Sequence, residues 1–155
     1  MKRSITIVAL SLALLLSVGC FKGLDWKSGG DESRAKAKKL KLNEPVNDSL
    51  NAFKGDHNDW RIFSLKKKGA VKVIIAFDNW KSINPKVYLR NAFGAVLASY
   101  KFDGSQQAKE FGPFILDKGE YFIQVSTVFG ESVYTLHVIF KPYKSGDTIK
   151  VPRPE

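Results

Sequence analysis

Few side chains in this sequence have chemistry beyond packing, and their spacing decides what they can do. His57 stands in the polar stretch Gly55-Asp56-His57-Asn58-Asp59, and His137 stands far along the chain in an apolar alternation. The two share no metal-ligand spacing, and the sequence holds no Gly-rich phosphate loop, HExxH or GxSxG. Catalysis needs a nucleophile with its base, or a paired acid and base, so the chain is not expected to be an enzyme. Asp56, Asn58 and Asp59 form the one dense oxygen cluster. Calcium takes roughly six to eight oxygens, and Asn47-Asp48 offers a second loop, so these three are the calcium candidates. The same stretch is also a good turn sequence and lacks the spaced acids of an EF-hand loop; no other cofactor is expected.

Trp80, Phe93 and Phe129 fall beside predicted loops. A large ring there either folds back to cap the domain or meets a partner. With Lys81, Lys86 and Arg90 nearby, exposed rings would bind a glycan or peptide by stacking and cation-π contact, which makes the three aromatics the ligand-binding candidates. Trp60, Tyr121 and Tyr134 are expected in the core.

The elements that must carry these residues are strands. Val71, Val73, Ile75 and Phe77 alternate along one segment, Tyr121, Ile123, Val125 and Thr127 along another, and Tyr134, Leu136, Val138 and Phe140 along a third. Each has a period of two, not 3.6. Weaker strands are predicted at 40–42, 59–65, 87–91, 96–102 and 111–116. Lys68-Gly69, Phe93-Gly94, Asp103-Gly104, Lys118-Gly119 and Phe129-Gly130 supply the turns between them. Eight to nine strands at this spacing predict an all-β fold, an antiparallel β-sandwich of jelly-roll-like shape over residues 38–143. Residues 144–155 form a C-terminal tail.

The N-terminal end reads differently. Lys2 and Arg3 precede an apolar run, Ile5 to Val18, that ends in small residues at Gly19 and Cys20. This is the layout of a signal peptide, residues 1–19, and not of a permanent span with a charged stop-transfer flank. Leu16-Ser17-Val18-Gly19-Cys20 resembles the bacterial lipobox, with Ser17 where Leu is usual. The resemblance implies that Cys20 becomes the acylated, palmitate-bearing first residue of a mature lipoprotein held in the lipid bilayer. Phe21 in place of Asp implies the outer membrane over the inner one as its place in the cell envelope. As the only cysteine, Cys20 has no partner for a disulfide within the chain. The sequence has 25 Lys and Arg against 15 Asp and Glu, net +10, and loses Lys2 and Arg3 with the leader to leave +8. Residues 20–37 are charged and lack an apolar period, so they are expected to form a basic, flexible tether. Without a recognition-helix pattern the charge does not point to nucleic acid; anionic envelope polymers are the expected electrostatic partners.

Four segments in order resemble the bacterial pre-peptidase C-terminal domain family. Asp59-Trp60-Arg61-Ile62-Phe63-Ser64-Leu65 is similar to its Asp-Trp-aromatic-x-Phe-x-Leu strand, and the stretch Val87 to Ser99 to its central hairpin. Leu116 to Val125 is similar to its turn-Gly-x-Tyr-Tyr strand, and Gly130 to Val138 to its closing Tyr-Thr-Leu strand. Arg61 stands where an aromatic is usual, and the hairpin lacks the acids common on its first strand. The resemblance implies a jelly-roll-like sandwich that binds and does not catalyse; some relatives bind calcium. Two functions are therefore expected as alternatives: a membrane-anchored module that binds glycan, peptide or envelope polymer, or a structural accessory subunit docking an envelope protein partner by strand addition.

Overall fold

The computed structural model describes residues 29–143, so the leader, Cys20, the first part of the expected tether and the tail 144–155 lie outside the described residues. Nine strands follow one another: β1 (Lys38–Lys39), β2 (Pro45–Asn51), β3 (Asn58–Leu65), β4 (Gly69–Phe77), β5 (Lys86–Asn91), β6 (Val96–Lys101), β7 (Ala108–Leu116), β8 (Gly119–Ser126) and β9 (Glu131–Pro142). They form a five-stranded sheet, β1-β3-β8-β5-β6, packed on a four-stranded sheet, β2-β9-β4-β7. Every pairing is antiparallel except β1 with β3, where Lys38 and Lys39 run alongside Arg61 and Ile62.

The period-two residues build the core. Val71, Val73, Ile75 and Phe77 of β4 and Tyr134, Leu136 and Val138 of β9 face Phe63, Val87, Leu89, Ile123 and Val125 of the other sheet, all buried. Each such side chain contributes roughly 1.5–3 kcal/mol on burial, enough together to fold a domain of this size without a disulfide. Phe77, Phe102 and Tyr134 pack at one end, with ring centroids 5.0 Å and 5.7 Å apart around Phe77.

Three expectations need correction. Residues 29–37 are not wholly tether: Asp31 is fully buried, its carbonyl accepts the Trp60 amide at 3.0 Å, and residues 34–36 make a single 3₁₀ turn. The segment is held because burying Asp31 beside two cations offsets the cost of ordering it. The strand expected at 40–42 is absent, its place taken by the two-residue β1 just before it, and β2 was not foreseen, since Pro45, Asn47, Asp48, Ser49 and Asn51 are all turn formers in isolation. Trp60 is not a core residue. Asp59 and Arg61 point inward on β3, so the alternation sends Trp60 to the outer face, against Phe122 and under Arg90.

Candidate functional site

The outer face of the five-stranded sheet carries side chains in rows set by strand register. Ser126 of β8 pairs Asn58 of β3 on one side and Lys86 of β5 on the other, and Lys86 in turn pairs Lys101 of β6. One row therefore reads Asn58, Ser126, Lys86, Lys101. The next reads Trp60, Gln124, Tyr88, Ser99. Alternation puts all eight on the face away from the core.

Over the first row opens a cavity of ≈ 490 Å³, lined by His57, Asn58, Asn84, Lys86, Tyr88, Lys101, Ser126, Thr127 and Val128. Its floor is held in place from below. Arg90 Nε donates to Gln124 Oε1 at 2.9 Å, and Gln124 Nε2 donates to Asn58 Oδ1 at 2.9 Å, which leaves the Asn58 Nδ2 hydrogens for the cavity. Arg90 also covers the rings of Tyr88 and Trp60, at 4.9 Å and 5.4 Å, and donates to the Gly94 carbonyl at 2.7 Å. The rim comes from the β8–β9 loop. Thr127 Oγ1 donates to the Phe129 carbonyl at 2.6 Å, and His57 Nδ1 donates to the Thr127 carbonyl at 3.2 Å, so the His57 Nε2 lone pair or proton remains open. Among the described residues, no carboxylate lines the cavity. It offers hydrogen-bond donors and positive charge.

The aromatic candidates do not share one patch. Trp80 is half-buried in the β4–β5 loop, packs on the core and lies under Lys81 at 5.0 Å. Phe129 is 59% exposed in the β8–β9 loop, edge-on to Phe53 at 5.4 Å, next to the cavity rim. Phe93 is 89% exposed but sits in the β5–β6 hairpin. The cavity lies where β5 begins and that hairpin where β5 ends, so Phe93 is at the opposite end of the sheet. Lys86, noted in the sequence only as a neighbour of the rings, is central to the cavity, and Lys101 was not singled out. The signal that reveals them is the β5–β6 register, which a sequence of this kind does not fix.

The calcium candidates separate as well. Asn58 faces the outer cavity, while Asp59 on the same strand faces the interior, where it is fully buried. Asp56 lies just before the strand, bridged through its backbone to Asn51. The carboxylates that do converge are Asp31, Asp48 and Asp59, with one oxygen of each within 4.8 Å of the others. Arg61 stands among them. Its Nη1 lies 2.5 Å from Asp31 Oδ2, and its Nη2 is bonded to Asp48 Oδ2. Lys38 Nζ reaches Asp31 Oδ1 at 3.1 Å, and Tyr134 Oη donates to Asp59 Oδ2 at 2.7 Å. The donor set does not fit calcium as arranged, because a guanidinium already supplies the positive charge and occupies two of the three carboxylates. Burial raises the Asp59 carboxyl to about 8, with Asp31 and Asp56 adding to the rise and the Tyr134 hydrogen bond and Lys38 opposing it. Burial, followed by the charge of Asp59, likewise lifts the Tyr134 hydroxyl well above the phenol range. Two links, Asp59 to Tyr134 and Arg61 to Asp48, thus join the sheets through polar groups.

No protein family model matches this chain, and no curated protein matches it. Among solved structures it is similar to the pre-peptidase C-terminal domain of collagenase from Bacillus anthracis, at 20% identity over 66% of this chain and 93% of that one, with a TM-score of 0.53. A second similar structure is the Aeromonas hydrophila PliG, a periplasmic lysozyme inhibitor of g-type lysozyme, at 13% identity over 68% and 96% of the two chains, with a TM-score of 0.43. The chain is therefore a β-sandwich whose fold resembles that of the pre-peptidase C-terminal domain.

Proposed function

We propose that this chain is a lipid-anchored lipoprotein of the bacterial cell envelope, attached through acylated Cys20, that presents its β-sandwich as a non-catalytic binding module for a glycan, peptide or envelope polymer. The observation that carries the reading is the outer-face cavity, donor-rich and, among the described residues, free of carboxylates, with a sheet floor whose side chains are tied together by hydrogen bonds. Its volume is that of a ligand site, and its lining of amides, hydroxyls and lysines suits a polar ligand. A likeness of fold to a pre-peptidase C-terminal domain is compatible with a module that binds. The leader's layout and the lipobox-like run to Cys20 support the anchor, and Phe21 after it supports the outer membrane.

The test is a binding screen of the full chain carrying Cys20→Ser, on arrays of glycans, peptides and envelope polymers. Saturable binding that weakens in an Asn58→Ala variant is the expected result. A blank screen, with one envelope protein co-purifying in fixed ratio, would replace this reading with that of an accessory subunit.

A further inference from the structure

Lys86 and Lys101 are direct cross-strand partners on β5 and β6, both exposed. Like charges placed opposite one another in an antiparallel pair repel, and a chain without use for them would set an acid there. This chain does so elsewhere: Lys72 of β4 meets Glu110 of the neighbouring β7 at 2.6 Å. No acid answers Lys86 or Lys101 among the described residues. The nearest acid in sequence, Asp103, is turned into its own loop, accepting from the Ser105 amide at 2.9 Å and the Ser105 hydroxyl at 2.5 Å.

We propose that the cavity is an oxyanion subsite for an acidic glycan, with Lys86 and Lys101 clamping a carboxylate or phosphate borne by a sugar. The inference rests on the binding-module reading and names its ligand class. Around the lysines stand groups that a hydroxyl-rich ring requires: the Asn58 and Asn84 amides and the Ser126 hydroxyl. Ammonium groups supply point charges that follow a freely rotating anion, whereas paired arginines would demand planar, bidentate geometry. Two rival ligands fit less well. A single-stranded nucleic acid stacks its bases on open rings, but the Trp60 and Tyr88 faces are covered by Arg90. An extended peptide gains most of its affinity by pairing along a free strand edge; this cavity lies mainly over β8 and β5, which are paired on both sides, and the edge strand β6 contributes only its last residue, Lys101.

The experiment measures affinity of the full chain carrying Cys20→Ser for polygalacturonate, phosphomannan, unphosphorylated mannan and poly-L-glutamate. Either or both acidic glycans should bind about tenfold or more tightly than neutral mannan, and the preference should fade with added salt. Which of the two binds separates a carboxylate source from a phosphate source. The double variant Lys86→Gln/Lys101→Gln should lose the preference, while Lys66→Gln/Lys67→Gln, with the same net charge but in the β3–β4 turn, should keep it; circular dichroism verifies that each is folded. Equal binding of mannan and phosphomannan, unaffected by the lysine variant, would overturn the oxyanion subsite and leave the binding module standing. Tighter binding of poly-L-glutamate than of either acidic glycan would also overturn it, in favour of an acidic peptide. If none of the four probes binds, the subsite falls, and the module falls with it only when the wider screen is blank too.

Discussion

Asp59 is fully buried between the two sheets, where its carboxyl accepts the Tyr134 hydroxyl at 2.7 Å. Its neighbourhood in the sequence suggested calcium with Asn58, but adjacent strand residues face opposite ways, and what Asp59 meets is Tyr134 from the other sheet. Its partner acid Asp48 was within the second loop considered, whereas Asp31 was hidden in a charged stretch with no apolar period. The groups around Asp59 are Asp31, Asp48, Asp56, Lys38, Arg61 and Tyr134. With its carboxyl raised from 3.8 to about 8, the folded chain keeps a proton that the unfolded chain releases above pH ~4. Stability from this group is thus complete in acid, falls as pH climbs from about 4 to about 8, and is level beyond. Urea titrations across that range should show the decline, and Asp59→Asn, which still accepts from Tyr134, should flatten it. Arg61 gives a second expectation. Removing the guanidinium leaves Asp31 and Asp48 as buried, facing carboxylates, a loss of about 3–5 kcal/mol for Arg61→Met at neutral pH. The same change frees the Asp31 and Asp48 carboxylates beside the Asp59 carboxyl, so millimolar calcium should raise the melting temperature of the variant and leave the parent unmoved; a calcium response in the parent would mean that Arg61 gives way to the ion.

Among the elements, legibility followed alternation. β4, β8 and β9 alternate over seven or more residues, and the sequence placed each of them with its inward face correct. β2 escaped because only Val46 and Leu50 are apolar in Pro-Val-Asn-Asp-Ser-Leu-Asn, and its pairing with β9 over seven residues overrides the local turn preference. The candidate site was less legible than the fold, since it depends on register: which of β3, β8, β5 and β6 lie side by side, and which residues share a row. One loop contact holds the cavity rim to this frame. Gly130 has φ +83°, and a Cβ there would meet the Ser82 carbonyl oxygen at 1.9 Å, backbone that has no side chain to swing away. Gly130→Ala should therefore force the β8–β9 and β4–β5 loops apart and cost about 1–3 kcal/mol or more. Because Asn84 and Thr127 line the cavity from those two loops, ligand affinity should fall in the same variant, measured at a temperature where it is still folded. Destabilisation with unchanged affinity would show that the rim is dispensable.

At the scale of the whole molecule, the proposed lipoprotein reading offers two attachments with different physics. Acyl chains on Cys20 would bind by burying methylenes, about 0.8 kcal/mol for each CH₂, and several chains on one residue would give an anchor that salt does not loosen. The basic stretch that follows would attract anionic headgroups by about 1 kcal/mol per Lys or Arg, and salt would screen that. The fold weakens the second contribution, because Lys38 is paired with buried Asp31 and Lys36 with Glu32. With the chain docked from Asp31 onward, residues 21–30 would reach at most roughly 35 Å when fully extended, so acylation of Cys20 would keep the sandwich close to the bilayer. If acylation is the anchor, the parent protein stays with membranes washed in molar salt and its N-terminal peptide carries lipid by mass spectrometry. The Cys20→Ser variant then moves to the soluble fraction once salt is added, with any residual association at low salt being the basic stretch alone. A variant that still resists the salt wash would show that the hold on the membrane comes from some part of the protein other than this thiol.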